Sequence, residues 1–149
     1  MNKEKTLKYL YRLISNREYL EQTLRQKLHK KNVSYDIIEE SINRLKELKY
    51  IDDESYVRSF VKSKIRKQEG PNRIRNKLFL LGANSDYVEL MISELYTDEL
   101  INENIKALIL RKSKKVEDRD KIIAYCSRRG FSISKIISIE EEIRQNNGI

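Results

Sequence analysis

One cysteine, one proline and four glycines are all that this 149-residue chain holds of three residue types that shape many other folds. The lone thiol, Cys126, excludes an internal disulfide and fits a reducing compartment. With so little proline and glycine, and with 36% charged against 39% hydrophobic residues, the composition suits helices that carry narrow apolar stripes and long solvated faces. No apolar run approaches the roughly eighteen residues that a bilayer span needs, and no secretory leader is recognisable, so the expectation is a cytoplasmic protein without a membrane partner. No Walker-type loop, dinucleotide-binding glycine pattern or Cys/His metal spacing occurs, so no cofactor and no metal is predicted. The single histidine, His29, lies in the basic run His29-Lys30-Lys31 with no nucleophile near it in sequence. The chain does not read as an enzyme.

What the chain does have is an internal repeat. Moved by fifty residues, Leu7, Leu10, Leu24, Leu28, Ile38, Ile42 and Leu45 fall on Val57, Phe60, Ile74, Leu78, Val88, Ile92 and Leu95. A further forty-eight residues lead to Ile105, Leu108, Ile122, Cys126, Ile136 and Ile143, with a break where Ile92 meets Glu140. Met91 and Ile139, one position away, are expected to fill that packing site. Fixed-period similarity marks stacked supersecondary units, each too small to be comfortably stable alone. The prediction is an all-α chain of three tandem three-helix repeats, 1–51, 52–97 and 98–149, stacked as an elongated array.

Each copy reads as helix, helix, tight turn, helix. Apolar residues at three- and four-residue steps mark the first helices, as in Leu7, Leu10 and Ile14 or Tyr56, Val57, Phe60 and Val61. Asn32, Gly82 and Gly130 share one column, where a left-handed residue would end the second helix. Two residues later Ser34, Asn84 and Ser132 are placed to cap the third helix. Asp52 and Asp53 are placed to cap the first helix of copy two, and Thr97 that of copy three. Gly70-Pro71 and Asp118 mark the start of helix two in the later copies. Copy one has Leu20 in that column, and without a cap there the expected start moves back to Ser15 or Asn16. Cys126 falls on the apolar column of Leu28 and Leu78, which assigns it to packing.

The net charge is +8, from 31 basic and 23 acidic side chains, and it is unevenly spread. Residues 56–81 hold eight basic side chains with only Glu69 against them, while residues 86–104 hold six acidic ones and no Lys or Arg. Helices one and two would form a basic stripe and helix three an acidic one, which points to a polyanionic partner. A sequence-reading helix-turn-helix over residues 73–95 is disfavoured, because its second helix would carry Asp86 and Glu89 between phosphate backbones. Sequence-independent contact with single- or double-stranded DNA survives that objection.

The segment Tyr50-Ile51-Asp52-Asp53-Glu54-Ser55-Tyr56-Val57, with Phe60-Val61, Gly70-Pro71-Asn72-Arg73-Ile74 and Leu78 to Gly82, resembles the central motif of the bacterial RecX family. Arg128-Arg129-Gly130-Phe131-Ser132 with Ile136 is similar to that family's C-terminal signature, and residues 13–28 match its first repeat more weakly. The resemblance implies a curved, extended regulator of the RecA recombinase, and a monomer is the default expectation. It would inhibit the filament's ATPase, strand exchange and co-protease activity on single-stranded DNA, and so modulate recombination, repair and the SOS response. It makes Arg128 and Arg129 the first choice for contact with filament or DNA. The comparable cations are Lys121 in copy three, Arg73, Arg75 and Lys77 in copy two, and Arg25, Lys27, Lys30 and Lys31 in copy one. Asp52, Asp53, Gly70, Gly82 and Gly130 are structural on this view, and Tyr56, Phe60 and Phe131 are packing residues. A plain helical DNA-binding protein that competes for the strand is the alternative, with a scaffold for another protein behind it.

Overall fold

The structure, a computed structural model, describes residues 1–147, so the last two residues of the expected third unit lie outside it. Nine helices and no strand occur among the described residues. They follow as three triplets: α1 (Lys3–Asn16), α2 (Glu21–Lys30) and α3 (Tyr35–Glu47); α4 (Asp53–Arg66), α5 (Pro71–Leu80) and α6 (Ser85–Leu95); α7 (Asp98–Ser113), α8 (Arg119–Arg128) and α9 (Ile133–Asn147). In each triplet the first and second helices both pack on the third.

The turn between the second and third helices is built as the residue types require. Asn32, Gly82 and Gly130 have φ of 56°, 80° and 105°, the left-handed conformation that stops a helix. The Asn84 carboxamide oxygen accepts from the Asp86 and Tyr87 amides, and Ser132 Oγ accepts from the Lys135 amide. Ser34 occupies the same position without making that bond. Asp52 caps α4 through the Ser55 amide (3.0 Å), and Thr97 caps α7 through the Leu100 amide (3.2 Å). Two further left-handed residues, Lys49 and Gln68, end α3 and α4, and their side chains gave no sign of it.

The start of α2 differs from expectation. Helix α1 runs to Asn16, and α2 begins at Glu21, with Leu20 in the column of Gly70 and Asp118. A local cap is not needed, because the Asp53 carboxylate, 32 residues on, accepts from the Glu21 amide at 2.9 Å. Leu20 itself is buried in the core of the following repeats.

That core joins repeats two and three. Val57, Ile74, Leu78 and Met91 form one cluster with Ile105, Ile122, Cys126 and Phe131. Met91 and Ile139 are both buried in it, as the register break required. Tyr56 and Phe60 pack against it, and the Phe131 ring meets Tyr96 edge-on. Repeat one has a separate core of Leu10, Leu24, Leu28, Ile38, Ile42 and Leu45, closed by Val33 and Ile51. Its column mate of Met91 is Ser41, fully buried, whose hydroxyl has no hydrogen-bond partner among the described residues.

Candidate nucleic-acid interface

The three second helices run head to tail. The Gly70 amide donates to the Arg129 carbonyl (2.7 Å) and the Asn72 amide to the Gly130 carbonyl (3.1 Å), so the end of α8 satisfies the start of α5. Unpaired amides at one helix end thus meet unpaired carbonyls at another, with the two helix dipoles aligned favourably. This approach needs two glycines. A Cβ on Gly70 would lie 2.2 Å from the Gly130 carbonyl carbon, and one on Gly130 would lie 2.5 Å from Arg73 Cβ. The turn at Gly82 meets the start of α2 in the same way, although there it is the Gln22 side chain that comes close. Asn32 ends the row, where no following unit presses on it, and so the column can carry a side chain there.

The ten cations singled out in the sequence fall into two groups. Five are held by the protein itself. Arg25 sits between Glu21 (2.9 Å) and Glu39, and Arg75 bonds Glu89 at 2.6 Å. Arg73 and Lys77 reach Glu69 at 2.9 and 2.6 Å. Arg129 points back into the junction, where its guanidinium donates to the Lys67 carbonyl and to that of Gln68 (3.2 Å), closing the end of α4. The other five face solvent or lie along aromatic rings. Lys30, Lys121 and Arg128 are exposed and have no ion-pair partner among the described residues. Lys31 lies 4.7 Å over the Tyr9 ring, and half-buried Lys27 lies 5.8 Å from that of Tyr19. The double arginine is thus divided, with Arg128 outward and Arg129 structural.

The second and third helices are also joined by an ion pair inside each of the first two repeats. Arg25–Glu39 and Arg75–Glu89 occupy the same columns, each with a fourteen-residue separation. The Arg25 guanidinium, bonded to Glu39, holds that carboxyl below the usual range, and Arg25 is correspondingly harder to deprotonate. In repeat three the column holds Ile123 and Ile137 instead, and charge pairing moves to Arg119–Glu140 (2.7 Å) and Arg144–Glu140 (2.5 Å).

Glu69, which the charge count treats as a lone exception, is a hub. Buried at the end of α4, it takes Lys64, Arg73 and Lys77 on its carboxylate, and its carbonyl accepts from the Tyr96 hydroxyl at 2.8 Å. Burial alone would raise its pKa, but the Lys77 hydrogen bond and the three positive charges outweigh that and lower it. Asn104 completes the cluster with bonds to the Tyr96 hydroxyl (2.9 Å) and the Ile65 carbonyl (3.1 Å). Burial pushes Tyr96 up to about 12, so it remains a donor at neutral pH. Cys126 is fully buried, and burial raises its thiol to about 11, which leaves it inert. His29 is exposed. Neither a metal-binding group of His, Cys, Asp and Glu nor a helix long and apolar enough to cross a membrane occurs among the described residues.

Residues 52–89 match the family model described as the second three-helix domain of RecX. The regulatory protein RecX of Haemophilus ducreyi is 29% identical over 148 residues, a match covering 95% of this chain and 96% of that protein. The crystal structure of RecX from Lactobacillus salivarius superposes with a TM-score of 0.86 at 25% identity, over 96% of this chain and 97% of the other. Over nearly its whole length the chain is similar to RecX proteins in both sequence and fold. A relative of the same name from Caldanaerobacter subterraneus subsp. tengcongensis is 28% identical over 128 residues, and the chain spans 65% of that longer protein. The family model ends at residue 89, inside α6, yet the structural match to RecX covers 96% of this chain and so extends into all three triplets.

Proposed function

We propose that this chain is a non-enzymatic cytoplasmic regulator that binds the RecA filament on single-stranded DNA as a monomer and inhibits its ATPase, strand exchange and co-protease activity. Its units are repeats 1–51, 52–97 and 98–149. The observation that carries this reading is the end-to-end likeness to proteins named RecX, in sequence and in fold. DNA contact is sequence-independent and falls to the outward cations Lys30, Lys31, Lys121 and Arg128, with Lys27 beside them. Arg25, Arg73, Arg75, Lys77 and Arg129 shape the surface through their intramolecular partners. The experiment is the single-stranded-DNA-dependent ATPase of the recombinase from the same organism, titrated with this protein. Suppression at a small fraction of the recombinase concentration, unrelieved by excess free DNA, is expected. Suppression that needs near-saturating DNA coverage and weakens steeply with salt would instead indicate competition for the strand. Arg128→Glu should raise the inhibitory midpoint about tenfold with unchanged thermal stability, in line with loss of one charge-assisted contact. Arg129→Ala should also destabilise the fold, by roughly 1–3 kcal/mol, because the end of α4 loses its donor.

A further inference from the structure

The four most exposed large apolar side chains all stand on one structural feature, the turn between second and third helices. Phe79 and Leu80 are 74% and 73% exposed at the end of α5, Tyr35 is 69% exposed at the start of α3, and Ile133 is 55% exposed at the start of α9. The three turns, residues 29–35, 79–85 and 127–133, contain no Asp or Glu, although the exposed Asp36 and Asp86 directly follow the first two. They do contain His29, Lys30, Lys31, Arg128 and Arg129. Turn and helix alternate along the row, so successive turns are about 15–20 Å apart, one ten-residue helix plus a gap.

Folding does not explain these apolar groups. Leu80 shares its column with Lys30 and Arg128, and Phe79 with His29 and Ser127, yet all three turns close with the same left-handed geometry. Tyr35 likewise shares a column with Ser85. A polar residue satisfies each position elsewhere in the same molecule, so the apolar choice serves something outside it. Exposed apolar groups set among mainly positive turns mark a recognition surface. Base stacking would account for Phe79 and Tyr35 but not for the aliphatic Leu80 and Ile133.

We infer that the row of turns is a protein-docking ridge that seats Phe79 and Leu80 in an apolar cleft of an acidic protein surface. The inference rests on the proposed reading and places that surface on the recombinase subunits of the filament. Lys30, Lys31 and Arg128 in the flanking turns carry the DNA contact proposed above, and their positive field also favours an acidic rim on the partner, while Tyr35 and Ile133 extend the apolar contact to either side.

The test is the double variant Phe79→Ser with Leu80→Arg, which copies the Ser127-Arg128 pair of the third turn and so keeps a geometry the fold already accommodates. Two readouts are needed: the ATPase inhibition midpoint, and anisotropy of a fluorescein-labelled oligothymidylate. The midpoint should rise at least about tenfold, the scale of losing a buried anchor. Oligonucleotide affinity should hold or improve, because a positive charge has been added. An inhibition midpoint within twofold of wild type would overturn the ridge. Loss of oligonucleotide affinity in step with inhibition would show that the ridge meets bases and would also overturn it. A wild-type protein that leaves the ATPase untouched would contradict the functional reading and the docking partner with it.

Discussion

The two junctions between repeats occupy the same place in the array and are built differently. Between repeats two and three, backbone meets backbone: α8 carbonyls accept from the Gly70 and Asn72 amides, Arg129 closes α4, and Tyr96, Asn104 and Glu69 bind the two units from the other side. Their cores merge into one. Between repeats one and two, side chains do the joining: Asp53 caps α2, Gln22 lies against Gly82, and only Leu20 crosses into the neighbouring core. Repeats two and three are therefore expected to open as one cooperative unit, with repeat one as a second, smaller one. Unequal interfaces of this kind divide a repeat array into separately opening segments.

The largest effect should come from the backbone junction. Gly70→Ala puts a methyl group into the Gly130 carbonyl, a clash that no side-chain rotation relieves. A loss of about 3 kcal/mol is expected by thermal or urea unfolding, at the top of the usual range for overpacking. The same change at Gly82 meets the flexible Gln22 side chain and costs chiefly its positive φ, about 1–2 kcal/mol.

Glu69→Gln should cost about 2 kcal/mol at pH 7, since three cations lose their counter-charge and are left partly exposed rather than buried. The pH dependence has a definite sign. The folded carboxyl lies below its ordinary 4.5, so its contribution is complete above that value and fades as the pH falls through the lower folded pKa. The wild-type advantage over Glu69→Gln should therefore shrink below about pH 4.5 in paired denaturation curves.

Asp53→Ala should remove the α2 cap and about 1 kcal/mol, while leaving the 2–3 junction unchanged. Burial, the leading influence on Asp53, raises its carboxyl above the ordinary range, so the ionised form is penalised in the fold. Asp53→Asn, which keeps an acceptor and drops the charge, should be at least as stable as wild type near pH 7. The smallest effect is a gain: Ser41→Ala removes a buried hydroxyl without a partner and should stabilise repeat one by up to about 1 kcal/mol.

Much of the fold was legible in local chemistry. The column of Asn32, Gly82 and Gly130 predicted a left-handed stop, and all three residues have positive φ. The start of α2 was not legible, because its cap is a carboxylate in the next repeat and no nearby residue announces it. Gly70 read as a turn residue, yet its demand is spatial, set by a carbonyl sixty residues away. For the candidate site, counting charge placed the cations but not their partners. The recurrence of Arg25–Glu39 as Arg75–Glu89 at an identical separation was the available signal for pairing, and Glu69 alone among eight cations was the signal for a hub.

The most direct test of two unequal units is native-state hydrogen exchange resolved by residue across the whole chain. The core amides of Leu24, Leu28 and Ile42 should share one opening free energy, clearly below the common value for Ile74, Leu78, Ile122 and Cys126. A single value for both sets, with all three repeats opening together, would contradict the account.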